Sequence, residues 1–143
     1  MVLETQIIAA VIEYLNGRVE SLSGFSPIVM GGMVAGQSGI SAEIAPGYAK
    51  SAYLAGGVFQ RMPILLIIRE QRRQNALETA FNIAEAVRRS GDCKTEKIHQ
   101  SVAGISMGTG PEFVQRSGAD YIYSLIFNID YMCGAPLCGG LES

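Results

Sequence analysis

Met62-Pro63-Ile64-Leu65-Leu66-Ile67-Ile68 is an unbroken apolar run that closes on Arg69-Glu70, and it constrains the chain more than any other stretch. A half-exposed strand alternates apolar and polar residues. Ile64–Ile68 leaves no polar face, so it predicts a central strand covered on both sides. It also falls well short of the roughly 18 apolar residues that a membrane span needs. A Gly-centred turn, Leu54-Ala55-Gly56-Gly57, precedes it, and Val58-Phe59-Gln60-Arg61 leads in. A polar link, Gln71-Arg72-Arg73-Gln74-Asn75, follows. Asn75 then stands as a helix cap with Glu78 three residues on, in the manner of a capping box. Leu77, Ala80, Phe81, Ala84 and Val87 form the expected buried stripe of that helix. Glu85 pairs with Arg89 at i,i+4, Arg88 and Arg89 complement the C-terminal dipole, and Gly91 ends the helix. In a chain of 143 residues, one cover of the central strand is a helix; the other is the second helix or a neighbouring subunit.

That second helix opens the chain. Leu3, Ile7, Ile8, Val11, Ile12 and Leu15 share one side of a helical wheel, with Glu4, Gln6, Glu13 and Asn16 opposite, and Asn16-Gly17 is the expected stop. The polar side is acidic, which argues against a membrane-surface helix. Ser26–Met30 reads as a short strand, and Gly31–Gly39 as a loop. Ile40, Ala42 and Ile44 alternate with Ser41, Glu43 and Ala45 in a half-exposed strand ending at Pro46-Gly47, and Tyr48–Leu54 is a further candidate. Ser101–Met107 and Glu112–Arg116 read as two strands separated by a Gly108-Thr109-Gly110-Pro111 turn. The last strand is the longest. Tyr121, Tyr123, Leu125, Phe127, Ile129 and Tyr131 occupy one face and Ile122, Ser124, Ile126, Asn128, Asp130 and Met132 the other. A strand of this length is expected to extend beyond the body of the domain.

Length and composition describe one globular domain: 48% of the residues are hydrophobic and 17% charged, too apolar for disorder. The formal net charge of −2 lacks the basic footprint of a nucleic-acid binder. Cys93, Cys133 and Cys138 are odd in number with no secretory leader ahead of them, so free thiols in a reducing compartment are expected.

Catalytic signatures are sparse. Gly31-x-x-x-x-Gly36-Gln37-Ser38 has phosphate-loop spacing with Gln where the motif needs Lys, and Ile40–Gly47 is no helix to receive phosphates. His99 has no His or Cys at ligand spacing, and Cys133 and Cys138 lack a second pair, so no metal site is expected. Asp120 and Asp130 are too far apart on a strand to act as paired carboxylates. No Ser sits in a nucleophile elbow. The reading is of a chain that is not an enzyme and needs no cofactor.

The order of elements, with the Ile40–Gly47 strand, Tyr53-Leu54-Ala55-Gly56-Gly57, the strand ending in Arg69, the Asn75–Val87 helix, Phe113-Val114 and Tyr121-Ile122-Tyr123, resembles the minor capsid proteins of long-tailed bacteriophages that act as tail terminators (tail completion proteins). The Gly-rich Met30–Gly39 loop and the Cys-bearing tail depart from that pattern. The resemblance implies an α/β (α+β) fold, with a mixed, mainly antiparallel sheet flanked by two main helices. It further implies a structural virion protein, assembled in the host cytoplasm. Its copies would form a hexameric ring that caps the tail tube, joins it to the head connector and passes genomic DNA without specific recognition. The expected order is α-β-β-β-α-β-β-β, in one domain over 1–132 with a flexible tail over 133–143. Subunit or tube contacts are expected at Arg69, Arg72 and Arg73, where a charge cluster follows a buried strand, and at Met30 and Met33. A head-side connector or stopper protein, and a small ligand-binding α/β domain, are the alternatives.

Overall fold

The computed structural model describes residues 3–19, 28–31, 39–45, 58–92 and 98–133. They form helix α1 (Leu3–Val19), strands β1 (Ile28–Met30), β2 (Gly39–Ile44) and β3 (Val58–Glu70), helix α2 (Arg73–Arg88) with a 3-10 turn over Arg89–Asp92, and strands β4 (Val102–Ser117) and β5 (Asp120–Cys133). The fold is α+β, with one five-stranded sheet in the order β1-β2-β3-β5-β4. Only β1 and β2 are parallel neighbours; the other pairings are antiparallel. Among the described residues two strands follow α2, where the sequence pattern predicts three. The chain leaves β3, crosses along α2 and enters β4, and β5 then folds back into the gap between β3 and β4. The expected strand over Tyr48–Leu54 and the flexible tail lie outside the described residues, except that Cys133 is the last residue of β5.

The apolar run sits in the third of five positions, as a central strand should. Met62, Ile64, Leu66 and Ile68 on one face of β3 are fully buried, alongside Tyr123, Leu125, Phe127, Ile129 and Tyr131 of β5. Both helices pack on this face. The Tyr131 hydroxyl donates to Glu4 Oε2 of α1 at 2.9 Å, and Arg73 Nε of α2 donates to the Tyr123 hydroxyl at 3.1 Å. One continuous core results, in which Ile7, Val11 and Leu15 of α1 and Ala76, Ala80 and Ile83 of α2 meet the sheet. The second cover is therefore not the second helix. Leu65 and Ile67, on the opposite face of β3, are half-buried.

Three local expectations are corrected. Helix α1 runs through Gly17 to Val19, because Asn16 is engaged elsewhere: its side chain accepts from Ile28 N at 2.8 Å and donates to Ile28 O at 3.2 Å, pinning β1 to the helix. Helix α2 begins at Arg73, and its N-cap, Arg72, makes no side-chain cap bond; Asn75 lies in the first turn and Glu78 accepts from Gln74 instead. The buried stripe of α2 is rotated toward Ala76 and Ile83, so Phe81 is exposed and Leu77 only partly buried. Glu85 does bind Arg89, at 2.7 Å, and also Arg88, at 3.0 Å.

The Gly108–Pro111 turn is not a turn. Strand β4 runs through it and stays paired with β5 by inserting extra residues, with register shifts at Val102/Gly104, Met107/Thr109, Thr109/Glu112 and Phe113/Gln115. Bulges and a proline are what an edge strand accommodates, since its outer N–H groups pair with nothing in the sheet. The β4–β5 loop is Gly118-Ala119, and Gly118 has φ +61°, the positive value that a two-residue type II′ loop requires at its first position. Strand β5 does not project from the domain, for it pairs with β3 from Tyr121 to Cys133.

Candidate assembly surfaces

The sequence-predicted contact residues fall into different environments. Arg69 is the penultimate residue of β3, and its side chain is only 15% exposed. Its Nε lies 3.0 Å from Asp120 Oδ2, whose side chain is 8% exposed. The N–H is not aimed at the oxygen, so the contact is an ion pair without a formed hydrogen bond. Glu70, the next residue, has its carboxyl pushed above the usual range by burial and then by the nearby Asp120 charge. Arg73 is exposed but its guanidinium is held by the Tyr123 hydroxyl, which raises its pKa further. Arg72 is exposed at the start of α2. The arginines thus do not form one patch: Arg69 is an internal link, and Arg72 and Arg73 are surface residues. Met30 is exposed on β1, and Met33 lies outside the described residues.

Other exposed apolar side chains complete the picture. Val29 joins Met30 on β1, one edge of the sheet, and Phe113 with Val114 are exposed on β4, the other edge. Four inter-strand spacings separate these edges, about 19 Å. The Phe113 ring packs edge-to-face on Tyr123, with centroids 5.4 Å apart at 68°. Beside it, the Arg116 guanidinium lies over the Tyr121 ring at 5.1 Å. Residues Phe113 and Val114 carry a sequence signal, two adjacent apolar residues in an otherwise polar segment. Only the strand order shows that they lie opposite Met30.

The sheet face turned away from the helices has its own pattern. On β3 and β5 its cross-strand pairs are Arg61–Asp130, Pro63–Asn128, Leu65–Ile126, Ile67–Ser124 and Arg69–Ile122. Arg61 grips Asp130 with two bonds, Nε to Oδ1 at 2.7 Å and Nη2 to Oδ2 at 3.1 Å. The Arg69–Asp120 pair closes the other end. Between the two ion pairs, Pro63, Leu65, Ile67 and Ile126 are interspersed with Asn128 and Ser124, and among the described residues no helix or strand is layered over the face.

No three His, Cys, Asp or Glu side chains gather into a metal-binding group among the described residues, and no described helix is long and apolar enough to cross a membrane. Of the Gly31–Ser38 loop, only Gly31 is described. The chain matches no protein-family model and no curated protein sequence.

Proposed function

We propose that this is a structural virion protein, a tail terminator whose copies close into a ring that caps the tail tube and joins it to the head connector. The observation that supports it is the pair of apolar edges on opposite sides of one sheet. A head-to-tail ring needs two different, mutually complementary patches on opposite flanks of each subunit, whereas a simple dimer needs only one. Val29 and Met30 on β1 and Phe113 and Val114 on β4 are exposed apolar residues at opposite edges of the sheet, where such patches would lie. The six-fold number, the tube and connector partners, and the passage of DNA through the lumen come from the resemblance in sequence pattern. On this reading the chain is not an enzyme, and its work is done by surfaces.

The test uses two variants with separate lesions. Met30→Asp and Phe113→Asp should each shift the assembly to a smaller species by sedimentation velocity and prevent capping of purified tail tubes. Mixed together, they should recover one larger species, because each variant keeps the edge that the other has lost. A protein that stays monomeric at high concentration, both alone and with tail tubes, would overturn the proposal.

A further inference from the structure

We infer that a flank of α2, together with β4, receives the β1–β2 edge of the next copy, with Met30 and Ile44 of that copy seated on Phe81 and Phe113. This rests on the ring reading and names the surfaces that meet in it. Arg73, Leu77 and Phe81 are spaced i, i+4 and i+8, so they share one flank of α2. Arg73, the first on that flank, bonds the Tyr123 hydroxyl at 3.1 Å, and the Phe113 ring packs on the same Tyr123. Past the far end of the helix, Ser90 Oγ lies 3.3 Å from the Ile105 carbonyl oxygen of β4. The flank therefore runs beside β4. Met107 and Phe113 stand opposite Phe127 and Tyr123, which belong to the core, so both face the helix side of the sheet. They make the floor of an apolar step, and Leu77 and Phe81 make its wall. Phe81 and Phe113 are each about half exposed, at 51% and 53%.

The opposite edge carries a counterpart on the same side of the sheet. Met30 is level with Ala42 and Ile44 with Ile64, both core positions, so Met30 and Ile44 also face the helix side. Strand β1 ends at Met30, opposite Ala42. Beyond it, Glu43 and Ile44 have no described strand beside them and form the edge themselves. Every exposed large apolar side chain among the described residues, Met132 excepted, belongs to one of two groups: Val29, Met30 and Ile44, or Phe81, Phe113 and Val114. A head-to-tail neighbour covers both groups at once, whereas a two-fold pair through either one leaves the other in water.

Charge agrees with this pairing. Glu43 is the only charged residue of β1 and β2, and it forms no ion pair with a described residue. Arg73 and Arg116 stand on either side of Phe113 with neutral partners, the Tyr123 hydroxyl and the Tyr121 ring. Glu112 and Gln115 are turned to the other face, opposite Ser124 and Ile122. An apolar edge with one carboxylate thus meets an apolar step with two guanidinium groups, the complementarity that selects a partner and its orientation.

Phe81→Asp lies on the helix surface, away from the sheet edge, and should keep its far-UV spectrum. By sedimentation velocity it should nevertheless shift the assembly to the same smaller species as Phe113→Asp. Met132→Asp, on the opposite sheet face, should leave the mass unchanged. Cross-linking tests the seating. In a background with Cys93→Ser, Cys133→Ser and Cys138→Ser, Met30→Cys protein mixed with Phe81→Cys protein should couple through a short bismaleimide, and neither should couple to itself. If Phe81→Asp assembles like wild type while Phe113→Asp does not, the seat on α2 is overturned and the ring stands. Efficient coupling of Phe81→Cys to itself would replace the head-to-tail contact with a two-fold one and overturn the inference. A wild-type chain that stays monomeric, alone and with tail tubes, would overturn both readings.

Discussion

Replacing Arg69 with Met is the sharpest single test of how the sheet end is held. Arg69 and Asp120 are largely removed from water and lie 3.0 Å apart, linking the last turn-ward residues of β3 to the first residue of β5. Two unit charges about 4 Å apart attract by about 4 kcal/mol at an effective dielectric constant near 20. Much of that offsets desolvation, so the pair itself contributes little; what costs is leaving Asp120 buried without its partner, about 3–5 kcal/mol in a fully buried case. The remaining exposure of Arg69 and its misdirected N–H place this site lower, and Arg69→Met should destabilise the fold by about 2–4 kcal/mol. Asp120→Ala added to Arg69→Met should recover more than half of the loss, since it removes the orphaned charge. Urea unfolding followed by circular dichroism, at one fixed protein concentration, measures both. A single-variant loss below about 0.5 kcal/mol would mark the pair as an ordinary surface contact and refute the reasoning. So would a double variant whose loss equals the sum of the two singles. Charge reversal at Arg69 perturbs the fold before it perturbs any partner.

Two other sites give clear expectations. The Glu70 carboxyl is held above its ordinary 4.5 by burial and then by Asp120. The folded state therefore binds this proton more tightly than the unfolded state, and the stability it confers is full below 4.5 and lost as pH rises through the folded value. Glu70→Gln should raise the urea midpoint at pH 7.5 and lessen the difference between pH 7.5 and pH 4; a variant no more stable than wild type at pH 7.5 would contradict this. Asn16→Ala removes both bonds to Ile28 and should cost about 1–3 kcal/mol. Hydrogen exchange should show the greatest loss of protection at Ile28–Met30, and protection unchanged there would contradict the role given to Asn16.

The sheet's centre and the two faces of β5 were legible because period-two patterning is a local signal, and the apolar run of β3 admitted no other place. The helices were legible as elements, but the exact stripe of α2 was not. Phe81 and Ile83 are both apolar and two residues apart, and only packing against the sheet selects Ile83. Gly108-Thr109-Gly110-Pro111 misled because Gly and Pro mark bulges on an edge strand as readily as they mark turns. Arg69 was read from its neighbours as part of a surface cluster; Asp120, distant in sequence, is what draws it inward. The apolar edges were invisible for a similar reason. Met30 and Phe113 become opposite flanks only once β5 inserts between β3 and β4, a choice of topology that no residue announces.

The bulges of β4 have a consequence for how this molecule can vary. Strand β4 spends 16 residues, Val102–Ser117, against partners in β5 that run only from Asp120 to Tyr131. Each surplus residue is absorbed where it occurs, so Phe113 still stands against Tyr123 and Val102 still meets Tyr131. A straight edge strand would transmit a one-residue insertion along its whole length and turn every later side chain to the wrong face. Here the slack is taken up locally. Chain length in β4 is thus decoupled from the alignment of the buried layer, and the outer rim can lengthen, shorten or change its chemistry while the core beside it stays in step.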